Sequence, residues 1–296
     1  MKAKKKHDSD RSFYIWINII LIVVSIAALI PFYLVIVTSF TNEGYIMLHG
    51  YTFFPKQLSV TAYKWILGKN STIYMAYRNT IALTTVGTVV SLCLVSMYAY
   101  TASRKKLRFR NFIAFWAWIP TVFYAGLIPF YMVLVKLHFQ NTYWGLVVPI
   151  FMNPFNVFLM LNYFRGLPGE VMESAAIDGA SEWLTYLKIV VPMSKPVFAT
   201  VSLYVILQIW NEWTLTLLLI DNDHKAMYPL QYLLRQIMAQ VNYAQAQVNQ
   251  VVNIGDLPQE SLKMATVVMT IGPVILVYPF IQKYFVKGIN VGAVKG

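Results

Sequence analysis

The sequence predicts an all-α, polytopic membrane protein of six transmembrane helices with both termini on the cytoplasmic side. Three observations predict it. The 296-residue chain is 58% hydrophobic and only 12% charged, about half the charged share usual in a soluble domain. Its apolar residues gather into six runs, each close to the ~20 residues that cross a bilayer as a helix. Lys and Arg cluster at the ends of those runs, where membrane orientation is encoded.

The runs are about 13–40, 80–102, 112–136, 143–164, 196–220 and 261–284. The first follows a basic stretch, 1–12, and is too long for the apolar core of a signal peptide, so it reads as a retained anchor. Pro31, Pro120, Pro129, Pro149, Pro154 and Pro273 lie within or at the ends of several runs. Neighbouring helices must then satisfy the backbone groups that proline frees, which implies a packed bundle. Orientation follows from the cations. With the amino terminus inside, the inner segments hold the five of 2–11, the five of 104–110, Arg165, Lys188, Lys195, Lys283, Lys287 and Lys295, which is 16 of the 24 Lys and Arg. Residues 13–296 form a single transmembrane domain. Its outer side carries loops 41–79 and 221–260 and a short turn at 138–142. Its inner side carries a basic loop, 103–111, and a long loop, 165–195. The 221–260 loop is polar, with Asn242, Gln245, Gln247, Asn249, Gln250 and Asp256.

The net charge of +12 does not point to nucleic acid, because the cations sit at span ends and not on a polar domain. The single cysteine, Cys93, can form no disulfide within one copy and reads as a small buried hydrophobe. No phosphate-cradling Gly-x-x-x-x-Gly-Lys-Ser/Thr loop is present. No Ser-His-Asp set or metal cluster with usable spacing appears either, and His138 and His224 read as solvated loop residues. The chain is therefore expected to be no enzyme and to hold no cofactor or metal; ATP and its Mg would be bound by another chain.

The long inner loop carries the most information. A short helix is predicted over about 168–177. Asp178-Gly179 breaks it, since Gly readily takes the left-handed conformation that ends a helix. A second, amphipathic helix follows. Ala180, Trp183, Leu184, Leu187 and Val191 share one face, and Ser181, Glu182, Thr185 and Lys188 take the other. Pro192 closes the segment. Small residues (Ser174, Ala175, Ala176, Gly179, Ala180) permit close approach by another protein, and Glu173 offers a charge to a basic partner. From the residues alone, an amphipathic connector lying on the lipid surface fits equally well.

The run Glu173-Ser174-Ala175-Ala176-Ile177-Asp178-Gly179-Ala180, followed by Ile189-Val190-Val191-Pro192, resembles the "EAA" loop of ABC importer permeases. That pattern is Glu-Ala-Ala, two variable residues, Asp-Gly-Ala, then Ile-x-Leu-Pro. Ser174 and Val191 depart from it, each by a small change. The likeness extends over nearly the whole chain, to the shorter, maltose-type permease of carbohydrate importers and its polysaccharide and oligosaccharide branch. Arg78-Asn79-Thr80, Ala99-Tyr100, 141–146, Trp210-Asn211-Glu212 and the ending at 282–288 and 292–296 carry it. The resemblance implies a type I importer fold in a bacterial cytoplasmic membrane. It implies a homologous second permease, two cytoplasmic ATP-binding subunits and an extracytoplasmic solute-binding protein as partners. The loop would be a coupling helix docked in a groove of the ATPase. Glu173 would meet a basic residue there, Gly179 would permit the turn and Asp178 would brace it, while the tail would reach the ATPase dimer interface.

A carboxylate at membrane depth costs several kcal/mol unless it faces protein or water. Glu212, in Trp210-Asn211-Glu212-Trp213, is therefore expected to face the bundle interior. Asn211 and Glu212 would bond sugar hydroxyls beside a Trp stacking face, or they form a helix–helix clasp with the Trp rings in the interfacial belt. Tyr124, Asn153 and Asn156 are further candidates for a wet substrate path. An ion-coupled secondary transporter is the principal rival, and it would show broken helices in two matching halves with paired buried charges.

Overall fold

The computed structural model describes residues 2–68, 72–248, 259–273 and 275. The 282–296 ending and Asn249, Gln250 and Asp256 of the polar outer segment lie outside these. Regular structure among the described residues is helical, apart from one isolated bridge between Thr41 and Leu58. The chain divides into two units, Met1–Ser71 with Ile237–Gly272, and Thr72–Gln236 with Pro273–Gly296.

In the first unit the Lys2–Ser39 helix is continuous through Pro31. From Phe13 to Ile30 nearly every side chain is exposed. Water cannot be the solvent of that surface. Each large apolar side chain is worth roughly 1.5 kcal/mol or more when covered, so this helix alone leaves on the order of 20 kcal/mol of burial unmade, more than a domain's whole stability. Lipid or another membrane helix must cover it. The same unit holds the Glu43–His49 and Thr61–Gly68 helices and a helix over 259–273. The Glu43 carboxylate accepts from the backbone N–H groups of Glu260 and Ser261 at 2.8 and 3.0 Å and from the Ser261 hydroxyl at 2.8 Å. An acidic group thus caps the positive end of the 259–273 helix. Glu260 in turn takes the Tyr51 hydroxyl at 2.7 Å and the Lys263 ammonium at 2.8 Å.

The second unit is built on the Thr72–Ser103 helix, which begins eight residues before the expected run because polar residues such as Arg78 and Asn79 join it. It packs chiefly against the Pro154–Arg165 and Lys195–Trp210 helices. Val95, Ala99, Val157, Met160, Leu161, Val201 and Val205 form the buried seam. At Gly87 a Cβ would stand 2.5 Å from Ile209 Cδ1, so the absent side chain sets how close these helices come. Cys93 is exposed and not buried.

Among the described residues, Phe13–Ser39 and Thr72–Ser103 are each long and apolar enough to span alone. Three helix pairs pass the same test of length and composition only when taken together, each bent as a broken span or a re-entrant turn would be. Arg110–Val122 and Leu127–Lys136 meet at 120°, Tyr143–Ile150 and Pro154–Arg165 at 44°, and Glu182–Met193 and Lys195–Trp210 at 81°. The 112–136 run, expected as one span, is therefore sharply broken. Gly126 sits at φ 90° in the break, and Pro129 occupies the first turn that follows, where its missing N–H is not needed. The 221–260 segment is not an open loop either: Asn222–Met227 is a 3-10 turn and Leu230–Val248 is a 19-residue helix.

Candidate functional site

The inner loop folds as a rigid elbow. Its first arm is the Gly169–Ile177 helix, and Asp178 is the C-cap. Gly179 lies at φ 75°, with no atom near a would-be Cβ. The turn is closed by three backbone bonds: Asp178 N–H to Ser174 O at 2.9 Å, Gly179 N–H to Ala176 O at 3.2 Å and Ala180 N–H to Ala175 O at 2.9 Å. The last two are the 5→2 and 6→1 bonds of a Schellman motif, which depends on the left-handed residue between them. Asp178 therefore braces the turn through its backbone, and its carboxylate is exposed. Two residues on, the Ser181 hydroxyl accepts the Leu184 N–H at 3.2 Å and starts the second arm.

That arm is not a plain amphipathic α-helix. Tyr186–Val190 is a π-helical stretch, in which the Val191 N–H reaches back to Tyr186 O. Thr185, Tyr186 and Val190 are buried, whereas Trp183, Leu184 and Leu187, which share the expected apolar face, are 56%, 41% and 45% exposed. Thr185 is buried despite its polarity because its hydroxyl bonds Ser181 O at 3.1 Å.

The elbow is held from behind by the carboxyl-terminal end of the Thr72–Ser103 helix. The Tyr186 and Ser96 hydroxyls bond at 2.7 Å. Tyr100 donates to Glu182 Oε2 at 2.6 Å, and Arg104 Nη2 donates to Glu182 Oε1 at 2.9 Å. The guanidinium beside it holds the Glu182 carboxyl below the usual carboxylate range, with the Tyr100 hydroxyl adding to the effect. The Tyr100 and Tyr186 rings lie 5.2 Å apart, and Trp183 and Tyr186 5.5 Å. None of this clamp was evident from sequence. Arg104 looked like one more topology-setting cation, and its partner lies 78 residues away. The spacing puts Ser181 and Glu182 on the polar face of the second helix and carries no mark of the partners of Glu182.

In front, the elbow is bare. Glu173, Ser174, Ala176, Asp178 and Gly179 are exposed, Ala180 is half-buried and Ala175 is buried within the bend. Ile177 is 86% exposed at the tip, a large apolar group that the pattern had left unremarked. Pro192 follows the π stretch and is exposed at the foot of the second arm.

The expected substrate-path residues divide. Glu212 Oε1 accepts the Leu215 N–H at 2.8 Å and so caps the Thr214–Leu219 helix across the break at 211–213. Asn211 is exposed and donates to Leu207 O at 2.8 Å. Trp210 is buried, and the Arg235 guanidinium lies 3.5 Å over the Trp213 ring. Asn153 caps Phe155 and donates to Gln208 Oε1 at 3.2 Å, which ties it to the helix that ends at Trp210. Asn156 is 1% exposed, and neither polar atom of its amide has a partner among the described residues. Tyr124 lies in the 123–126 break, 77% exposed and apart from the others. His224, expected to be merely solvated, bonds Asp221 Oδ1 through Nδ1 at 2.6 Å. Among the described residues no Asp, Glu, Lys or Arg is buried.

Residues 101–291 match the family of binding-protein-dependent transport system inner membrane components. The chain belongs to this family. This permease is 35% identical over 287 residues to the polygalacturonan/rhamnogalacturonan transport system permease protein YtcP of Bacillus subtilis, covering 97% of the chain and 99% of that relative. It is 26% identical over 298 residues to the arabinooligosaccharides transport system permease protein AraQ of the same organism, covering 98% and 99%. Its fold matches a chain from the crystal structure of a bacterial ABC transporter involved in the import of the acidic polysaccharide alginate. The TM-score is 0.79 at 29% identity, over 94% of this chain and 98% of that one. The protein is thus an ABC importer permease, a membrane transport component and not an enzyme.

Proposed function

We propose that this permease moves an oligosaccharide, derived from a plant or algal type of polysaccharide, into a bacterial cell by alternating access. The 168–192 elbow would receive the force of a separate ATPase. One observation carries the reading: the elbow is fixed from behind by Arg104, Tyr100 and Ser96 and uncovered in front at Glu173, Ser174 and Ile177. A lever has those two properties, a stiff joint to the moving part and a free face for the part that pushes. The named relatives, which handle galacturonans, arabinooligosaccharides and alginate, support a carbohydrate substrate.

The full assembly in this reading contains a homologous second permease, two cytoplasmic ATP-binding subunits that hold ATP and Mg, and an extracytoplasmic solute-binding protein. The chain crosses the cytoplasmic membrane six times with both termini inside. By length and composition the described helices allow up to five crossings if each bent pair is one span, with Lys195–Trp210 and not the elbow arm before it as the membrane part of the last pair, and the helix over 259–273 begins the sixth. ATP binding closes the ATPase dimer, the elbow carries the motion, and the bundle switches between two discrete states. Trp210, Asn211, Glu212, Trp213, Asn153, Asn156 and Tyr124 remain the candidates for the substrate path. Asn156 is the strongest of them, because its unpartnered buried amide calls for a polar occupant. The 221–260 segment is the proposed contact for the binding protein.

Glu173→Lys tests the coupling role. The variant is expected to insert and assemble normally, to lose uptake, and to lose the stimulation of ATP hydrolysis by loaded binding protein. Uptake at the wild-type rate overturns the assignment.

A further inference from the structure

Beside the elbow lies a second feature that transport does not explain. A cleft of about 450 Å³ opens between the 103–111 loop and the start of the Gly169–Ile177 helix. Five cations line it, Arg104, Lys105, Lys106, Arg110 and Arg165, against one carboxylate, Glu173. Arg104 is already engaged by Glu182, and Lys106 feels that same carboxylate at a distance. Lys105, Arg110 and Arg165 have no ion pair or hydrogen bond from their side chains among the described residues. Among the acidic residues of the inner segments, only the side chains of Asp8 and Asp10 are not described.

A second observation points the same way. The Gly169–Ile177 helix, nine residues long, starts in this cleft behind Pro168, which offers no side-chain cap; Glu170 stands in its first turn but does not line the cleft. Its first amides keep their donors, and the Cβ position of Gly169 is open space. Uncapped helix amides with a partial positive charge, ringed by guanidinium and ammonium groups, make a site for a compact multivalent oxyanion. Asn111 adds an amide at the rim.

We propose that the cleft binds a phosphate group, with Lys105, Arg110, Arg165 and the first amides of the Gly169–Ile177 helix as its ligands. An occupant would bridge the basic loop to the root of the elbow and stiffen the joint between them. The phosphate would come from an anionic lipid headgroup or from free phosphate, and both present the same oxygens. The binding is independent of the coupling role of Glu173 and can fail or hold without it.

The test uses the assembled importer in nanodiscs of phosphatidylcholine with or without 20% phosphatidylglycerol. Native mass spectrometry counts phosphatidylglycerol retained after transfer to detergent, and inorganic phosphate is added as competitor. The inner variant is Lys105→Gln/Arg110→Gln/Arg165→Gln, and the control is Lys56→Gln/Lys64→Gln/Lys225→Gln, which removes three charges elsewhere. Where the inner triple does not assemble, Arg165→Gln and Lys105→Gln are read singly. Retention is expected to fall roughly fivefold for each inner charge removed, to recover with lysine at 110 and 165, and to hold in the control. Wild-type retention that millimolar phosphate leaves untouched assigns the site to lipid. Saturable displacement by phosphate, or phosphate binding to the wild type but not the inner variant, assigns it to the free anion. Equal retention by all variants with no phosphate binding, or an equal loss in the control, overturns the proposal.

Discussion

The two ends of the Thr72–Ser103 helix present opposite solutions to one problem. A helix of 32 residues is about 48 Å long at 1.5 Å per residue, and each end must be joined to chain that returns from far away in sequence. At the amino-terminal end the joint is sealed. Asn79 donates to Ala226 O and Tyr228 O at 2.7 and 3.3 Å, and Thr80 accepts the Leu230 N–H at 2.8 Å. Asn141 and Asp221 exchange two hydrogen bonds at 2.7 and 3.0 Å, with the Tyr228 hydroxyl on Asp221 O and the Tyr143 hydroxyl on Asn79. At the carboxyl-terminal end the hydrogen bonds are as good, but they stop halfway. One side of the elbow is tied to Ser96, Tyr100 and Arg104, and the other leaves Ile177, Trp183 and Glu173 uncovered. The difference teaches where to look for a partner: polar groups satisfied within the chain mark a finished joint, and a stiff element with a bare apolar tip marks an unfinished one.

Four changes would break or sharpen that contrast. Ile177→Asp puts a charge on the bare tip and should have the largest effect, abolishing uptake and co-purification of the ATPase while expression and melting temperature stay at wild-type values. A variant that still co-purifies the ATPase would mean that the tip is not a contact. Gly179→Val forces a β-branched residue to φ 75°, a strain on the order of 1–2 kcal/mol. Uptake should fall by roughly tenfold with assembly retained, and an unchanged rate would show that the turn tolerates relaxation. Arg104→Met removes the clamp without exposing the tip. Glu182 is more than half exposed, so its ion pair is discounted to about 1 kcal/mol; a modest drop in melting temperature together with partly uncoupled ATP hydrolysis is expected. Asp221→Asn should matter least. The His224 ring nitrogen, helped by Asn141, holds the Asp221 carboxyl below its ordinary range. Its contribution is therefore present above the usual carboxylate pKa and lost as pH falls through the lowered one. The melting temperature of the wild type should decline in acid at that point, and in Asp221→Asn that part of the decline should disappear. Identical acid profiles would remove the site from the finished joint.

Much of this architecture was legible because its causes are local. The apolar runs, the Gly179 turn and the helix starting after Ser181 each follow from a few consecutive residues. What escaped has causes that sequence distance or composition hides. Glu43 caps a helix that begins more than 200 residues later, and Arg104 meets Glu182 across 78. The 123–126 break interrupts a run whose residues are apolar throughout, so hydropathy carries no mark of it; only Gly126 between Pro120 and Pro129 did. Trp183, Leu184 and Leu187 share one face, as their spacing predicts, and that face is bare; the π-helical stretch at Tyr186–Val190 has no mark in the spacing. Glu212 also reaches the Leu215 N–H three residues on, a local cap beside a helix break that the Trp-Asn-Glu-Trp pattern does not announce.

The π-helical stretch at Tyr186–Val190 carries one more lesson. One surplus residue in a helix rotates everything beyond it by about 100°, so this short segment works as the phase setting between the elbow and the Lys195–Trp210 helix. Shortening it by a single residue would leave both pieces folded and hydrogen-bonded yet aim Ile177 and Glu173 a quarter-turn or more away from their present heading. The direction in which this subunit offers its tip is thus fixed by a counting choice in the backbone, made five residues before Lys195 and independent of any side chain at the tip itself.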